Sequence, residues 1–380
     1  MLNRFLFFVL LILLVTVGCD YSYVPSEPTT DNVEATEQIL PSGTPIEGQY
    51  IIVMNKKDVA LGKSTLEMTS LAKNLLTDNG LSPDLTDRIY THAIAGFTAA
   101  LSENAAAKLR LDPRVAIVEQ DRIISLGRPP GKGGGKNDPE PQQTPWGITR
   151  VGGFADGSGT TAWIIDTGID LKHKDLNVDV AQSANFVPRG KDSPKDGHGH
   201  GTHVAGTIGA IDNTIDVVGV AAGANLVAVR VLDNAGSGAY SWVIAGVDYV
   251  ATYAEPGDAA NMSLGGPPSD ALDLAILNAA GRGINFSLAA GNSDADANNY
   301  SPARVNHTNV YTISAIDIND VFAYFSNWGN PPVDYAAPGV SVLSTKKGGG
   351  TTTFSGTSMS APHVAGILLL GGVKSDGNAL

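Results

Sequence analysis

The chain has 380 residues, 43% apolar and 17% charged, which is ordinary for a globular protein and enough for one large domain and a smaller one. Its net charge of −13 argues against a nucleic-acid partner, which needs clustered Lys and Arg to neutralise phosphates. A single cysteine excludes an intrachain disulfide, so stability has to come from packing or metal.

Arg4 precedes an apolar run from Phe5 to Val17, and Gly18 and Cys19 follow it. The run is too short to span a bilayer and has the length of a signal-peptide core. Thr16-Val17-Gly18-Cys19 resembles a bacterial lipoprotein cleavage box. That resemblance implies a signal peptide over 1–19, with Cys19 as an acylated membrane anchor. Thr16 stands where the box has Leu, so ordinary cleavage and free secretion is the alternative. Both readings export the protein to the cell envelope or the medium.

Residues 20–47 are rich in Pro, Ser, Thr and acids, without apolar periodicity, and read as a flexible tether. A small domain is predicted over 48–126. Residues 50–54 form its first strand. Ser64 and Glu67 form a capping box for a helix that stops at Asn79-Gly80. Strands around 88–92 and 96–101, a short helix around 103–109 and a strand over 115–119 complete the order βαββαβ, the ferredoxin-like α+β motif. Residues 127–141 hold Gly131-Lys132-Gly133-Gly134-Gly135 and four prolines, so they read as an exposed, cleavable linker.

From Gln142 to Leu380 short apolar strands alternate with amphipathic helices. Strands are predicted over 161–165, 226–231, 259–264, 285–289 and 311–315, and helices over 241–254 and 269–280. This is an α/β pattern, a mostly parallel sheet with helices on both faces. Chemistry in such sheets gathers at the carboxyl ends of the strands.

Three segments place reactive groups there. Ala162-Trp163-Ile164-Ile165-Asp166-Thr167-Gly168 ends a strand in an aspartate. Gly199-His200-Gly201-Thr202-His203 turns a glycine-rich loop into a helix at a histidine. Gly356-Thr357-Ser358-Met359-Ser360-Ala361-Pro362 does the same at a serine. A serine hydroxyl needs a neighbouring imidazole to take its proton, and the imidazole needs a buried carboxylate to fix its tautomer. Taken singly, the Asp is a turn former and the Ser a helix cap. A competing reading makes Asp196, His198, His200 and His203 a zinc site, but no further ligand cluster closes its shell.

Taken together, in the order Asp, His, Ser, the segments resemble the subtilisin-like serine endopeptidases (subtilases, peptidase family S8). The resemblance implies a three-layer fold with Asp166 as orienting acid, His200 as general base and Ser358 as nucleophile. In Leu288-Ala289-Ala290-Gly291-Asn292 it implies that Asn292 completes the oxyanion hole. It makes residues 261–266, with Ser263 and Leu264, a substrate-binding edge and has Gly265 and Gly291 flank the pocket for the residue before the scissile bond. Tyr240, Val243 and Leu264 would line an apolar pocket three residues upstream. The expected substrates are polypeptides, cut with a broad preference for apolar side chains, by a monomer without a catalytic cofactor. A proteolytically dead, peptide-binding relative is the rival reading, opposed by four intact catalytic positions.

The resemblance also implies structural calcium, held by the side chains of Gln142, Asp175 and Asn213 and by loop oxygens at Ile211, Ile215 and Val217. Residues 48–126, including the run 112–121, resemble the family's I9-type inhibitory propeptide. Its tail, Ile123-Ile124-Ser125-Leu126, offers apolar residues to the two pockets, which implies self-cleavage near Leu126 and Gly127. Relatives continue for tens of residues past the Ser358 helix. This sequence stops at Leu380, through either a naturally short branch or an incomplete sequence.

Overall fold

Ser64 and Glu67 make both bonds of the predicted capping box. The Glu67 N–H donates to Ser64 Oγ at 3.3 Å, and the Ser64 N–H donates to Glu67 Oε2 at 3.0 Å. The computed structural model describes residues 40–126 and 138–375. The proposed signal segment with Cys19, residues 20–39 of the tether, residues 127–137 of the linker and residues 376–380 lie outside them.

The small domain runs β1 (Pro45–Met54), α1 (Thr65–Asp78), β2 (Thr86–Tyr90), β3 (Gly96–Ala100), α2 (Glu103–Arg110) and β4 (Val115–Ser125). Its strands are antiparallel in the order β4-β1-β3-β2, the ferredoxin-like arrangement. β1 begins before residue 48 because Pro45 already pairs with Arg122 across a bulge, so residues 45–47 are strand and not tether. The two-residue period of β1 divides its side chains. Tyr50, Ile52 and Met54 pack with α1 and α2, whereas Ile51 and Val53 face the core of the large domain.

The large domain adds α3 (Trp146–Arg150), β5 (Ala155–Asp156), β6 (Thr161–Asp166), β7 (Ala184–Asn185), α4 (His200–Gly209), β8 (Ala221–Ala222), β9 (Asn225–Arg230), β10 (Ser237–Ala239), α5 (Tyr240–Tyr253), β11 (Ala259–Met262), α6 (Asp270–Ala280), β12 (Asn285–Ala289), β13 (Val310–Ile316), β14 (Val333–Pro338), the hairpin β15 (Val342–Thr345) and β16 (Thr351–Phe354), and α7 (Thr357–Leu369). Seven parallel strands form the sheet β14-β13-β12-β11-β6-β9-β7.

Both faces of this sheet are covered. Trp163 and Ile165 of β6 point to the core under α5 and α6, whereas Ala162 and Ile164 point to the core around α4 and α7. Burying each large apolar side chain contributes roughly 1.5–3 kcal/mol. α7 is buried almost all round, as suits a helix running through the interior. The chain leaves β6 for β9 on one side and returns to β11 on the other. That reversal opens a crevice at the carboxyl ends of β6 and β11.

Candidate active site

Asp166 ends β6 with no solvent exposure, and His200 opens α4 beside it. His200 Nδ1 lies 2.9 Å from both Asp166 carboxylate oxygens, which fixes the ring tautomer with Nε2 free as the acceptor. Burial opposes a charged His200, but the Asp166 charge and hydrogen bond, followed by Asp196, outweigh it and raise its pKa. A base must be neutral to act, so this shift moves upward the pH below which His200 would be protonated and unable to accept a proton.

Ser358 is the second residue of α7, whose cap Gly356 sits at φ 149°. Its hydroxyl donates to the Ser263 carbonyl at 3.1 Å, and Ser263 Oγ donates back to the Ser358 carbonyl at 2.8 Å. The Ser358 N–H lies in the first helical turn, where no intrahelical acceptor exists. Asn292 stands three residues past β12. Its Oδ1 accepts from the N–H and hydroxyl of Thr357 at 2.8 and 3.1 Å, so its Nδ2 is left for the neighbouring cavity. Gly291 (φ 108°) cannot carry a side chain, because a β-carbon there would sit 2.3 Å from Asn327 Nδ2.

Ser358, Asn292, Ser263, Leu264, Gly265 and Gly291 line one cavity of about 400 Å³. Tyr240, Val243 and Leu264 lie in a single apolar cluster, and Ile124 of the small domain, 1% exposed, is part of it. Of the residues the sequence singled out, Ser358, Asn292, Ser263, Leu264, Gly265 and Gly291 share this cavity, whereas Asp166 and His200 pair with each other and Tyr240 and Val243 sit in the apolar core.

β4 reaches that cavity as an added strand. Ser125, Ile124 and Ile123 pair antiparallel with Ser237, Gly238 and Ala239 of β10, and the Leu126 N–H donates to the Gly236 carbonyl at 3.0 Å. This edge was not singled out in the sequence. Its signal is Gly236-Ser237-Gly238, small residues that let another backbone approach. Residues 42–44 lie between the tail and Pro267, beside the edge at 261–266 expected to bind substrate. The Gly43 N–H donates to Ile123 O at 2.7 Å, Ile123 N–H to Thr44 O at 2.8 Å, and Ser42 Oγ to Gly265 O at 3.4 Å.

Carboxylates lock the two domains at helix and turn N–H groups. Asp121 accepts from the Ser241 N–H in α5, and Glu119 accepts from the Ala271 N–H in α6. In the reverse direction, Asp248 of α5 accepts from the N–H groups of Thr91, His92 and Ala93. Sequence reading missed these three acids as interface groups. The alternation of Glu119 and Asp121 on one strand face was their only signal.

Gln142, Asp175 and Asn213 meet through hydrogen bonds. Asn213 Nδ2 donates to Asp175 Oδ1 at 2.7 Å, the Asn213 N–H to Gln142 Oε1 at 2.5 Å, and the Val217 N–H to Asp175 Oδ2 at 3.2 Å. Burial, with the Asp216 charge nearby, pushes the Asp175 carboxyl up to about 7 against the hydrogen bonds from Val217 and Asn213. An oxygen-rich loop around a buried carboxylate fits a calcium ion. Ile211, Ile215 and Val217 lie on the same loop, where Ile215 bridges Pro141.

The histidines near His200 do not converge as ligands. His203 Nε2 contacts the Val342 carbonyl at 3.1 Å, and its ring stacks on Phe354. Burial drives His203 down to about 3 and His363 to about 4, so both are neutral. Among the described residues, no group of three His, Cys, Asp or Glu side chains is placed to hold a metal.

Residues 157–372 match the model of the subtilase family, and residues 49–127 match that of the peptidase inhibitor I9. An alkaline serine exoprotease A of Vibrio alginolyticus is 41% identical over 351 residues, covering 90% of this chain and 63% of that longer protein. An extracellular serine proteinase of a Thermus species is 38% identical, covering 95% of this chain and 88% of the relative. The crystal structure of a cold-adapted subtilisin-like serine proteinase is similar at TM-score 0.54 and 45% identity, covering 59% of this chain and 83% of that one.

Proposed function

This chain belongs to the subtilase family, and we propose that it is an exported serine endopeptidase, made as a self-processing zymogen, that cleaves polypeptides through an acyl-enzyme. The observation that carries the reading is the two-oxygen contact of Asp166 with His200, supported by the cavity that Ser358 and Asn292 share.

The Ser358 hydroxyl turns from the Ser263 carbonyl to His200 Nε2, gives up its proton and attacks the substrate carbonyl carbon. The carbonyl oxygen gains the charge and meets Asn292 Nδ2 and the Ser358 N–H. Asp166 stabilises the imidazolium, which protonates the leaving amine as the C–N bond breaks. Water then repeats the cycle, with His200 taking its proton, and releases the acid. A fluorophosphonate should label Ser358 in folded, propeptide-free protein, and a folded preparation that resists labelling would sink the reading.

Asn292→Ala should lower kcat about 10²–10³-fold at little change in KM, the loss measured for this family's own oxyanion asparagine. Steady-state kinetics check this, and a kcat within threefold of the parent counts against the role. Apolar upstream residues are favoured because Ile124 of the tail is buried in the same apolar cluster as Tyr240, Val243 and Leu264. Residues 48–126 act as the inhibitor, with residues 42–44 bracing the tail. Gly43→Val would drive a β-carbon into Pro267 and should shorten the activation lag about fivefold, the worth of roughly one hydrogen bond. An unchanged lag removes the brace from the inhibitor.

Gln142, Asp175 and Asn213 would hold calcium, whose charge would offset the burial of the Asp175 carboxylate. Asp175 has a folded pKa above its unfolded value. Without an ion, its contribution to stability is therefore present at low pH and lost as pH rises through about 7. Chelation of the mature enzyme should lower Tm by about 5–10 °C at pH 8 and by less at pH 6. Equal shifts at both pH values would place any ion elsewhere. Export follows from the apolar run at Phe5 and the extracellular Thermus relative. Incorporation of labelled palmitate that Cys19→Ser abolishes would establish the lipid-anchored form, and its absence would leave free secretion.

A further inference from the structure

We propose that Asp196 is a positioning residue of the catalytic centre, a second buried carboxylate that ties the Asp166 strand end to the first turn of the His200 helix and sets the charge environment of His200. The inference rests on the triad reading above.

Asp196 is 1% exposed, and both of its oxygens are saturated with donors. Oδ1 accepts from the Thr167 hydroxyl at 3.0 Å and from the N–H groups of His198 and Gly199 at 2.8 and 2.7 Å. Oδ2 accepts from the N–H and hydroxyl of Thr202 at 3.0 and 2.6 Å. Five donors converge on two oxygens, so only a group with acceptors on both atoms fits. A neutral amide would present its NH₂ to donors on one side.

Thr167 carries the link to the triad. Its N–H donates to Asp166 Oδ1 at 2.7 Å, and its hydroxyl, donating to Asp196, accepts from the Gly201 N–H at 3.0 Å. The residue after the acid and the residue after the base are thus joined through one hydroxyl, whose direction Asp196 fixes. The loop from Asp196 to Gly199 is held by the same carboxylate just before His200 begins α4.

The charged and titratable groups around His200 are few. Asp166 faces it from β6, and Asp196 and His198 from its own loop. His203 lies one turn along α4 and is neutral, and Lys347, from the turn after β15, donates to the Gly197 carbonyl. After burial and Asp166, Asp196 is the remaining influence on the His200 charge, and it favours the imidazolium. That sign helps the transition state, in which His200 is cationic.

The test compares Asp196→Asn and Thr167→Val with the parent in the full self-processing chain, by kcat, KM and the pH profile of kcat/KM on a chromogenic peptide. Asp196→Asn should lower kcat about tenfold or more with KM within about twofold, as small misplacements of reacting groups do, and should move the acid limb to lower pH. Thr167→Val keeps the charge and cuts the bridge, so it should lower kcat severalfold and leave the acid limb in place. A folded Asp196→Asn enzyme that loses only thermal stability, with the parent's kcat and acid limb, overturns the proposal. Where Asp196→Asn yields no folded enzyme, Thr167→Val decides, and a parental kcat there overturns it. Fluorophosphonate labelling of the parent at Ser358 reports separately on the triad reading, so the two failures are distinguishable.

Discussion

Ser358→Ala is expected to lower kcat about 10⁶-fold, the loss measured for the nucleophile of this same family, and to leave the precursor uncut. The hydroxyl makes one hydrogen bond, to the Ser263 carbonyl, at the rim of an open cavity. Its removal leaves no void in the core, so the variant should fold and melt close to the parent. That separates lost chemistry from lost structure. The small domain should remain seated in it, because β4 stays paired with β10 and Asp121 and Glu119 stay on α5 and α6. Gel analysis of a pure, fluorophosphonate-treated preparation is the measurement. A chain that still matures there would refute self-processing, whereas residual hydrolysis 10³–10⁴-fold over water would only report the oxyanion hole and binding.

Sequence reading reached far at this centre because the chemistry is concentrated in short phrases. The segment ending in Asp166 had to be a strand, since its residues are apolar on both faces of a covered sheet. The helices that carry His200 and Ser358 are capped by Gly199 and Gly356 at φ 112° and 149°, backbone states that glycine-rich loops permit before a helix. The capping box at Ser64 and the stop at Asn79 were equally legible, because local hydrogen bonds decide them. What escaped was set by distant partners. β14 ends in Ala-Ala-Pro and becomes a strand only because β13 pairs with it. β4 runs past residue 119 because β10 offers an edge for residues 123–125. Residues 42–44 are polar and proline-flanked, like a tether, and only the free side of Ile123 gives them a conformation. Asp196 looked like one member of a histidine cluster until its five donors were in place.

The same reasoning predicts the effect of Asp166→Asn. The asparagine is nearly isosteric and would stay within reach of His200 Nδ1, so the geometry should be preserved. Its NH₂, however, donates where the carboxylate accepted. Nδ1 must then become the acceptor, and the ring proton moves to Nε2, the atom that has to receive the Ser358 proton. The imidazolium formed in the transition state also loses its adjacent charge, in a site where His200 is 4% exposed and water screens little. A loss of about 10⁴ in kcat is expected, with KM nearly constant, as for the matching substitution in another serine protease triad. Because Asp166 is the main influence raising the His200 pKa, the acid limb should fall to lower pH in this variant, and by more than in Asp196→Asn. Equal displacements in the two variants would mean that direct contact with the ring confers no electrostatic advantage over the more distant Asp196. A smaller displacement in Asp166→Asn would make Asp196, and not Asp166, the carboxylate that sets the basicity of His200.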